Sequence, residues 1–276
     1  MERVVVAGAG FAGIQAAFSL ANKGYEVELI DQSSNHIYTP GLVELVRNRC
    51  DQKDLSIDLE TLFGETSIDF FKEEIKDIDL ENNQIEAKER HNYDYLVLAL
   101  GGEPLVPEGF EDAIIPYSVS EASKLSNLEG SVAIIGSGYT GIEYAFELAE
   151  KGLNVQIFDA ETRPLPRFPE KVSERILDSL YAEDIRFRGG KKIESIEDGE
   201  ITYEEGSESF DHILLNIGNT QNKLITECFD NLEVNSGLNS VKHDNVFAIG
   251  DCSSLNPATA HNAIYEGEKV AENIDK

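Results

Sequence analysis

Three glycines and an acid are the first residues whose types and spacing suggest chemistry. Gly8, Gly10 and Gly13 stand in GxGxxG spacing, and Asp31 follows 23 positions after Gly8. Gly8 permits a tight turn, Gly10 lets the backbone approach a pyrophosphate, and Gly13 lets a helix pack closely on a strand. The helix that starts there offers free N–H groups to an anion, and the acid can take the hydroxyls of a ribose. The same set recurs 128 positions on as Gly136, Gly138, Gly141 and Asp159, again with 23 positions from first glycine to acid. One such loop alone also fits a plain strand–turn–helix. Two with identical internal spacing point to two dinucleotide sites.

These residues need strands and helices to hold them. Val4–Val6 is a β-branched run fit for a buried strand, Ile14–Leu20 has helical spacing, and Val27, Leu29 and Ile30 lead into Asp31. Ile68–Phe71, Ile75, Ile78, Leu80 and Ile85 predict a small meander turning at Asn82-Asn83, and Tyr93–Gly102 a buried strand entering a glycine turn. After a proline-rich connection at 103–116 the pattern repeats. Ser131–Asp159 is the second unit, Arg163–Pro169 a turn and Glu170–Tyr181 an amphipathic helix. Ile185–Phe187, Ile193–Ile196 and Ile201–Tyr203 form a second meander, and Phe210–Gly218 a second apolar strand ending in glycine. Asn245–Asp251 and a helix over Pro257–Ile274 have no counterpart before the second unit, so they return to complete the first. The fold class expected is α/β, with two Rossmann-like three-layer domains, the second inserted in the first. The boundaries expected are 1–105, 118–220 and 221–276.

Length allows two cores in 276 residues. No apolar run approaches the ~18 residues of a membrane span, and Met1 leads almost at once into a strand, so neither a span nor a signal peptide is expected. Cys50, Cys228 and Cys252 are too few for a disulfide scaffold and fit a reducing interior. Fifty-two acidic residues against 23 Lys and Arg give a net charge of −29, spread along the chain. That surface repels nucleic acid and anionic lipid. It reads either as an ordinary acidic cytosolic surface or as one suited to a salt-rich cytoplasm, where screening over ~3 Å at 1 M removes self-repulsion. The second reading, that of a halophile's acidic proteome, is favoured.

With both loops placed, the chain resembles the flavoproteins with two dinucleotide-binding domains, and within them the branch of type II NADH dehydrogenases and sulfide:quinone reductases. The residues that carry the resemblance are HIYTPGLVELV (36–46), ALGGEP (99–104), GYTGIEYAFEL (138–148), RPLPRFPEKVSERIL (163–177) and GDC (250–252). It implies FAD in the first domain, on Gly8, Gly10, Phe11, Ala12 and Gly13, with Asp31 and Gln32 at the adenosine ribose. Ile75, Gly101, Gly250 and Asp251 would also line that cofactor. Ala258, Thr259 and Ala260 would turn backbone N–H groups to the flavin's pyrimidine end, and Thr39 and Pro40 would lie beside the ring. Asp251 equally fits a strand-ending Asp that caps the next element. NADH would bind the second domain on Gly136, Gly138, Tyr139, Thr140 and Gly141, with Gly218 and Asp159. A carboxylate at Asp159 favours NAD over NADP, although Arg163 stands close by. Glu143 reads equally as a helix-start carboxylate or as an acid near the nicotinamide–flavin meeting point. His261 replaces the glutamine usual in the branch and could relay a proton, or be an ordinary helix-face histidine. Glu143, His261 and Pro40 are the candidate catalytic residues, and no metal site is expected.

Family members continue into a further domain that forms a dimer interface and, in some, docks on lipid. This sequence ends at Lys276, so stable membrane insertion is not expected. The location expected is cytoplasmic, or peripheral to the membrane through a partner, and a homodimer is compatible with the resemblance. Three functions follow. The first is an FAD-dependent NADH oxidoreductase passing electrons to a quinone or soluble redox protein. The second is a sulfide:quinone or disulfide reductase, which needs paired cysteines. The third is a redox-sensing protein that holds FAD and NADH without turnover. The intact second loop favours the first, and no CxxxxC or CxxC stands where a disulfide reductase needs one.

Overall fold

The structure is a computed structural model that describes residues 1–229, 232–253, 255 and 257–274. Its main elements are β1 (Arg3–Ala7), α1 (Phe11–Asn22), β2 (Glu26–Asp31), β3 (Ile68–Lys72) and β4 (Tyr95–Leu98). They continue as β5 (Ser131–Ile135), α2 (Tyr139–Glu150), β6 (Asn154–Asp159), α3 (Glu170–Ala182), β7 (Arg186–Gly189) and β8 (His212–Leu215). The last are β9 (Val246–Ala248) and α4 (Ala260–Ile274).

The chain divides into two compact units. The first comprises Met1–Ile37, Ser56–Glu103 and Thr220–Lys276. Its five-stranded sheet has the order β9-β4-β1-β2-β3, with every pair parallel. Apolar clusters cover both faces, one around Val4, Val6, Leu20 and Val97 and the other around Val5, Ala7, Leu96 and Leu98. That is why the three strands β9, β4 and β1 read as unbroken apolar runs and not as alternations. Helix α4 lies on α1, and a β-carbon at Gly267 would come within 2.6 Å of the Ala12 carbonyl oxygen, so glycine is what lets the two helices approach.

The second unit comprises Tyr38–Leu55 and Pro104–Asn219. Its sheet has the order β7-β6-β5-β8, again all parallel. The strip Tyr38–Leu55, which the sequence runs on from the first unit, packs here. It contains a 3-10 helix, Thr39–Arg47. Val43 and Val46 join the core of Tyr144, Ala145 and Leu148. Arg47 pairs with Glu150, and Arg49 with Glu147, both on α2.

The meanders differ from expectation in the same way in both halves. Ile68–Phe71 and Ile185–Phe187 are edge strands of the main sheets, β3 and β7, paired in parallel with β2 and β6. Each meander proper comprises the three antiparallel strands that follow: Asp77–Asp79, Gln84–Glu86 and Arg90–Asn92 in one half, Ile193–Glu197, Glu200–Tyr203 and Gly206–Ser209 in the other. A short apolar run carries no sign of the direction of its partner. Helix α4 begins at Ala260, three residues later than expected, because the Thr259 hydroxyl caps it by accepting from the Asn262 N–H at 3.2 Å.

Candidate functional site: two glycine cradles

In each unit the first strand turns at a left-handed glycine into a helix whose N-terminus has no side-chain cap. Gly8 has φ +105°, and a β-carbon there would meet the Ala99 carbonyl oxygen at 2.4 Å. Gly136, φ +106°, would meet the Asn216 carbonyl oxygen at 2.3 Å. Gly13 and Gly141 each lie under the carbonyl of the first glycine, where a β-carbon would come within 1.8 Å and 2.2 Å of its oxygen. The middle glycines are different: above Gly10 and Gly138 nothing lies within 4 Å of a β-carbon position. Each is the N-cap of its helix, α1 or α2, with extended backbone and no side chain bonded to the first turn. An open glycine beside a helix start with no side-chain cap is the arrangement that suits a phosphate. The cradles fit the pyrophosphates of two dinucleotides.

The acids at the strand ends hold these loops in shape. Asp31 accepts from the Ala9 N–H and the Ser33 N–H, both at 2.7 Å. Asp159 accepts from the Ser137 N–H at 2.6 Å, from the Ser137 hydroxyl, and from the Glu161 N–H at 2.8 Å. A carboxylate oxygen has room for further bonds, so the carboxylates keep acceptor capacity for a ribose. Arg163 is committed to its own turn. It donates to the carbonyls of Phe168 (2.9 Å) and Pro166 (2.6 Å) and to the Ser173 hydroxyl (2.6 Å). Tyr139, at the start of α2, is exposed and packs edge-on against Phe168 of that turn, and Thr140 is exposed beside it.

Two supports in the first unit were not legible from the loop motif. His36 is buried, meets Phe11 edge-on at 4.7 Å, and places Nδ1 3.1 Å from the Ala9 carbonyl. A carbonyl only accepts, so Nδ1 carries the proton. Burial lowers the His36 pKa, keeping the ring neutral. Glu266, 2% exposed on α4, accepts from the Gly250 N–H at 2.7 Å and bonds the Ser253 hydroxyl at 3.3 Å. It thereby fixes the turn Gly250–Cys252 that carries Asp251. The signal for Glu266 was a charged residue on the apolar face of an amphipathic helix.

The remaining candidates divide between the units. Gln32 is exposed just past Asp31, and Ile75 packs half-buried on the lower core of the first unit. Gly101 (φ +73°) and Gly218 (φ +105°) end the two equivalent apolar strands in left-handed turns. Ala258 is exposed, Thr259 and Ala260 are half-buried, and His261 is exposed in the first turn of α4. Phe11 is half-buried and Ala12 buried at the start of α1. Thr39 and Pro40 are exposed at the start of the 3-10 helix in the second unit. Glu143 lies one turn into α2, past its first turn, and reaches solvent. Crowding by protein atoms and then the carboxylate of Glu44 raise its pKa.

The thiols are poorly placed for redox work. Burial pushes Cys252 up to about 12, and burial followed by the carboxylates of Asp54, Glu44 and Asp51 raises Cys50. Burial likewise raises Cys228, whose Sγ lies 3.5 Å from Asp77 Oδ1. All three are free. Among the described residues no group of three or more His, Cys, Asp or Glu is arranged to hold a metal, and no helix is long and apolar enough to cross a membrane.

Two parallel sheets, each with a glycine cradle and a tethered acid, define a protein with two dinucleotide-type sites. Residues 2–267 match the pyridine nucleotide-disulphide oxidoreductase family, and the chain belongs to it. The chain is 24% identical, over an alignment 335 positions long, to a type II NADH:quinone oxidoreductase of Staphylococcus aureus, covering all of this chain and 82% of that protein. In fold it is similar to a ferredoxin reductase from Rhodopseudomonas palustris, with a TM-score of 0.89 at 22% identity over 100% of this chain and 76% of that one. It is also similar to the sulfide:quinone oxidoreductase of Aquifex aeolicus, with a TM-score of 0.88 at 19% identity and the same two coverages.

Proposed function

We propose that the protein binds FAD in its first unit and NADH in its second, takes hydride from NADH, and passes electrons to a quinone or a soluble redox protein. The observation that carries this reading is the repeated cradle: an open glycine and an uncapped helix start in each unit, beside an acid that faces the same loop. The flavin, when bound, supplies the hydride and electron chemistry. The chain's own part is to bind and orient. The N–H groups at the starts of α1 and α2 hold the pyrophosphates, Asp31 and Asp159 take the adenosine riboses, and His36 and Glu266 keep the first cradle in shape. Asp159 suits NADH, since a 2′-phosphate would meet a carboxylate, and Arg163 is engaged by its own turn. Glu143, with its raised pKa, holds a proton closer to neutral pH than an ordinary glutamate.

The three similar proteins are named for NADH and a quinone, for a ferredoxin, and for sulfide and a quinone, so both donor and acceptor vary on one fold. Raised thiol pKa values and scattered cysteines weigh against the sulfide and disulfide alternatives. The experiment is an acceptor screen with the FAD-loaded protein and NADH, using a water-soluble quinone, a quinone in neutral vesicles, and a ferredoxin. Turnover with at least one supports the reading. Turnover only with sulfide as the donor in place of NADH, or with NADH only when a disulfide is the acceptor, would contradict it.

A further inference from the structure

The two halves differ at one position on the rim of the cradle. Ala99 and Asn216 are equivalents: each follows the apolar strand next to the first strand of its sheet. The Ala99 N–H donates to the Ala7 carbonyl at 2.8 Å, as the Asn216 N–H does to the Ile135 carbonyl at 2.8 Å. Each offers its own carbonyl to the space a β-carbon on the first cradle glycine would fill. The first unit closes this position with a buried methyl group. The second places an amide there, and its Nδ2 is buried with no hydrogen-bond partner among the described residues.

A buried amide without a partner costs free energy, and alanine in the other copy shows that the backbone does not need it. The place explains what the amide is for. In the sheet order β7-β6-β5-β8 the chain leaves β5 toward β6 on one side and returns to β8 on the other. The C-terminal ends of β5 and β8 therefore form the topological switch point, where such sheets bind their ligand. Asp159 ends β6 on the adenosine side of the loop, so the rest of the dinucleotide runs over β8, whose end carries Asn216.

We infer that Asn216 is a positioning residue for NADH, its side-chain amide donating to an oxygen of the nicotinamide half: a ribose hydroxyl, a phosphate oxygen or the carboxamide oxygen. This rests on the assignment of NADH to the second unit. It adds to the shared loop motif a contact that the first unit lacks.

The test is calorimetric titration of the FAD-loaded protein with NAD+, which does not reduce oxidised flavin, and separately with ADP, which lacks the nicotinamide half. Asn216→Ala should weaken NAD+ about five- to tenfold, the size of one hydrogen bond, and leave ADP within about twofold. Its melting temperature without nucleotide should equal or exceed that of the parent, because an unpaired donor has been removed. Asn216→Ser offers the same comparison with a small polar side chain if the alanine variant does not fold. Unchanged NAD+ affinity would overturn the inference, as would equal weakening of NAD+ and ADP with a lower melting temperature. A parent protein that binds neither ligand would instead overturn the assignment of NADH to this unit.

Discussion

Ser137 donates both its backbone N–H and its hydroxyl to one oxygen of Asp159, so the acid proposed to take the NADH ribose is also the clamp on the glycine loop. Asp31 does the same with the N–H of Ala9 alone. Asp159→Ala should therefore lose two things together. NADH binding should fall by roughly ten- to a hundredfold, the range for hydrogen bonds to a charged group, and preference over NADPH should shrink. Ratios of kcat/KM for the two nucleotides check this. An unchanged ratio would mean that discrimination lies elsewhere in the loop.

The thiols should be dispensable. Cys50 and Cys228 replaced by Ser and Cys252 by Ala should leave NADH-to-dye turnover within about threefold of the parent, since none has the electropositive setting that makes a thiolate. A loss of about a hundredfold, roughly 2.7 kcal/mol of barrier, with FAD still bound, would put a cysteine in the reaction.

Burial holds the His36 pKa below its ordinary value, so below pH about 6.5 the unfolded chain takes up a proton that the folded one refuses. The stability contributed by this residue is present above that pH and declines as the pH falls toward the folded-state value. His36→Asn keeps a donor near the Ala9 carbonyl but does not titrate. Its melting temperature should fall less than the parent's between pH 7.5 and about 5.5, at fixed salt. Parallel curves would show that the ring is not the titrating group.

A net charge of −29 on 276 residues opposes folding through self-repulsion, and added ions screen it. The melting temperature should rise between about 0.1 M and 2 M KCl. A flat response would remove the reading of a surface suited to salt.

Much of this was legible because the chain repeats itself. The glycine spacings and strand-ending acids found both cradles, and the unmatched Asn245–Ile274 stretch found the return to the first sheet, where β9 pairs with β4. What stayed hidden depends on direction and on distant partners. Ile68–Phe71 and Ile185–Phe187 read as meander strands, because pairing direction is not written in segments of three or four residues with apolar ends. The strip Tyr38–Leu55 reads as a continuation of its neighbours, yet Val46 and the pairs of Arg47 and Arg49 with α2 bind it to the second unit. His36 and Glu266 act on backbone atoms 27 and 16 positions away, which no local spacing announces.

The central claim is that one chain binds FAD and NADH and moves hydride between them. The direct measurement is anaerobic titration of the purified protein with NADH, followed by flavin absorbance. The account predicts a yellow protein with one FAD per chain, bleached by about one equivalent of NADH and more slowly by NADPH. A chain that takes up no FAD on reconstitution, or an FAD-loaded chain whose colour NADH leaves unchanged, would contradict it.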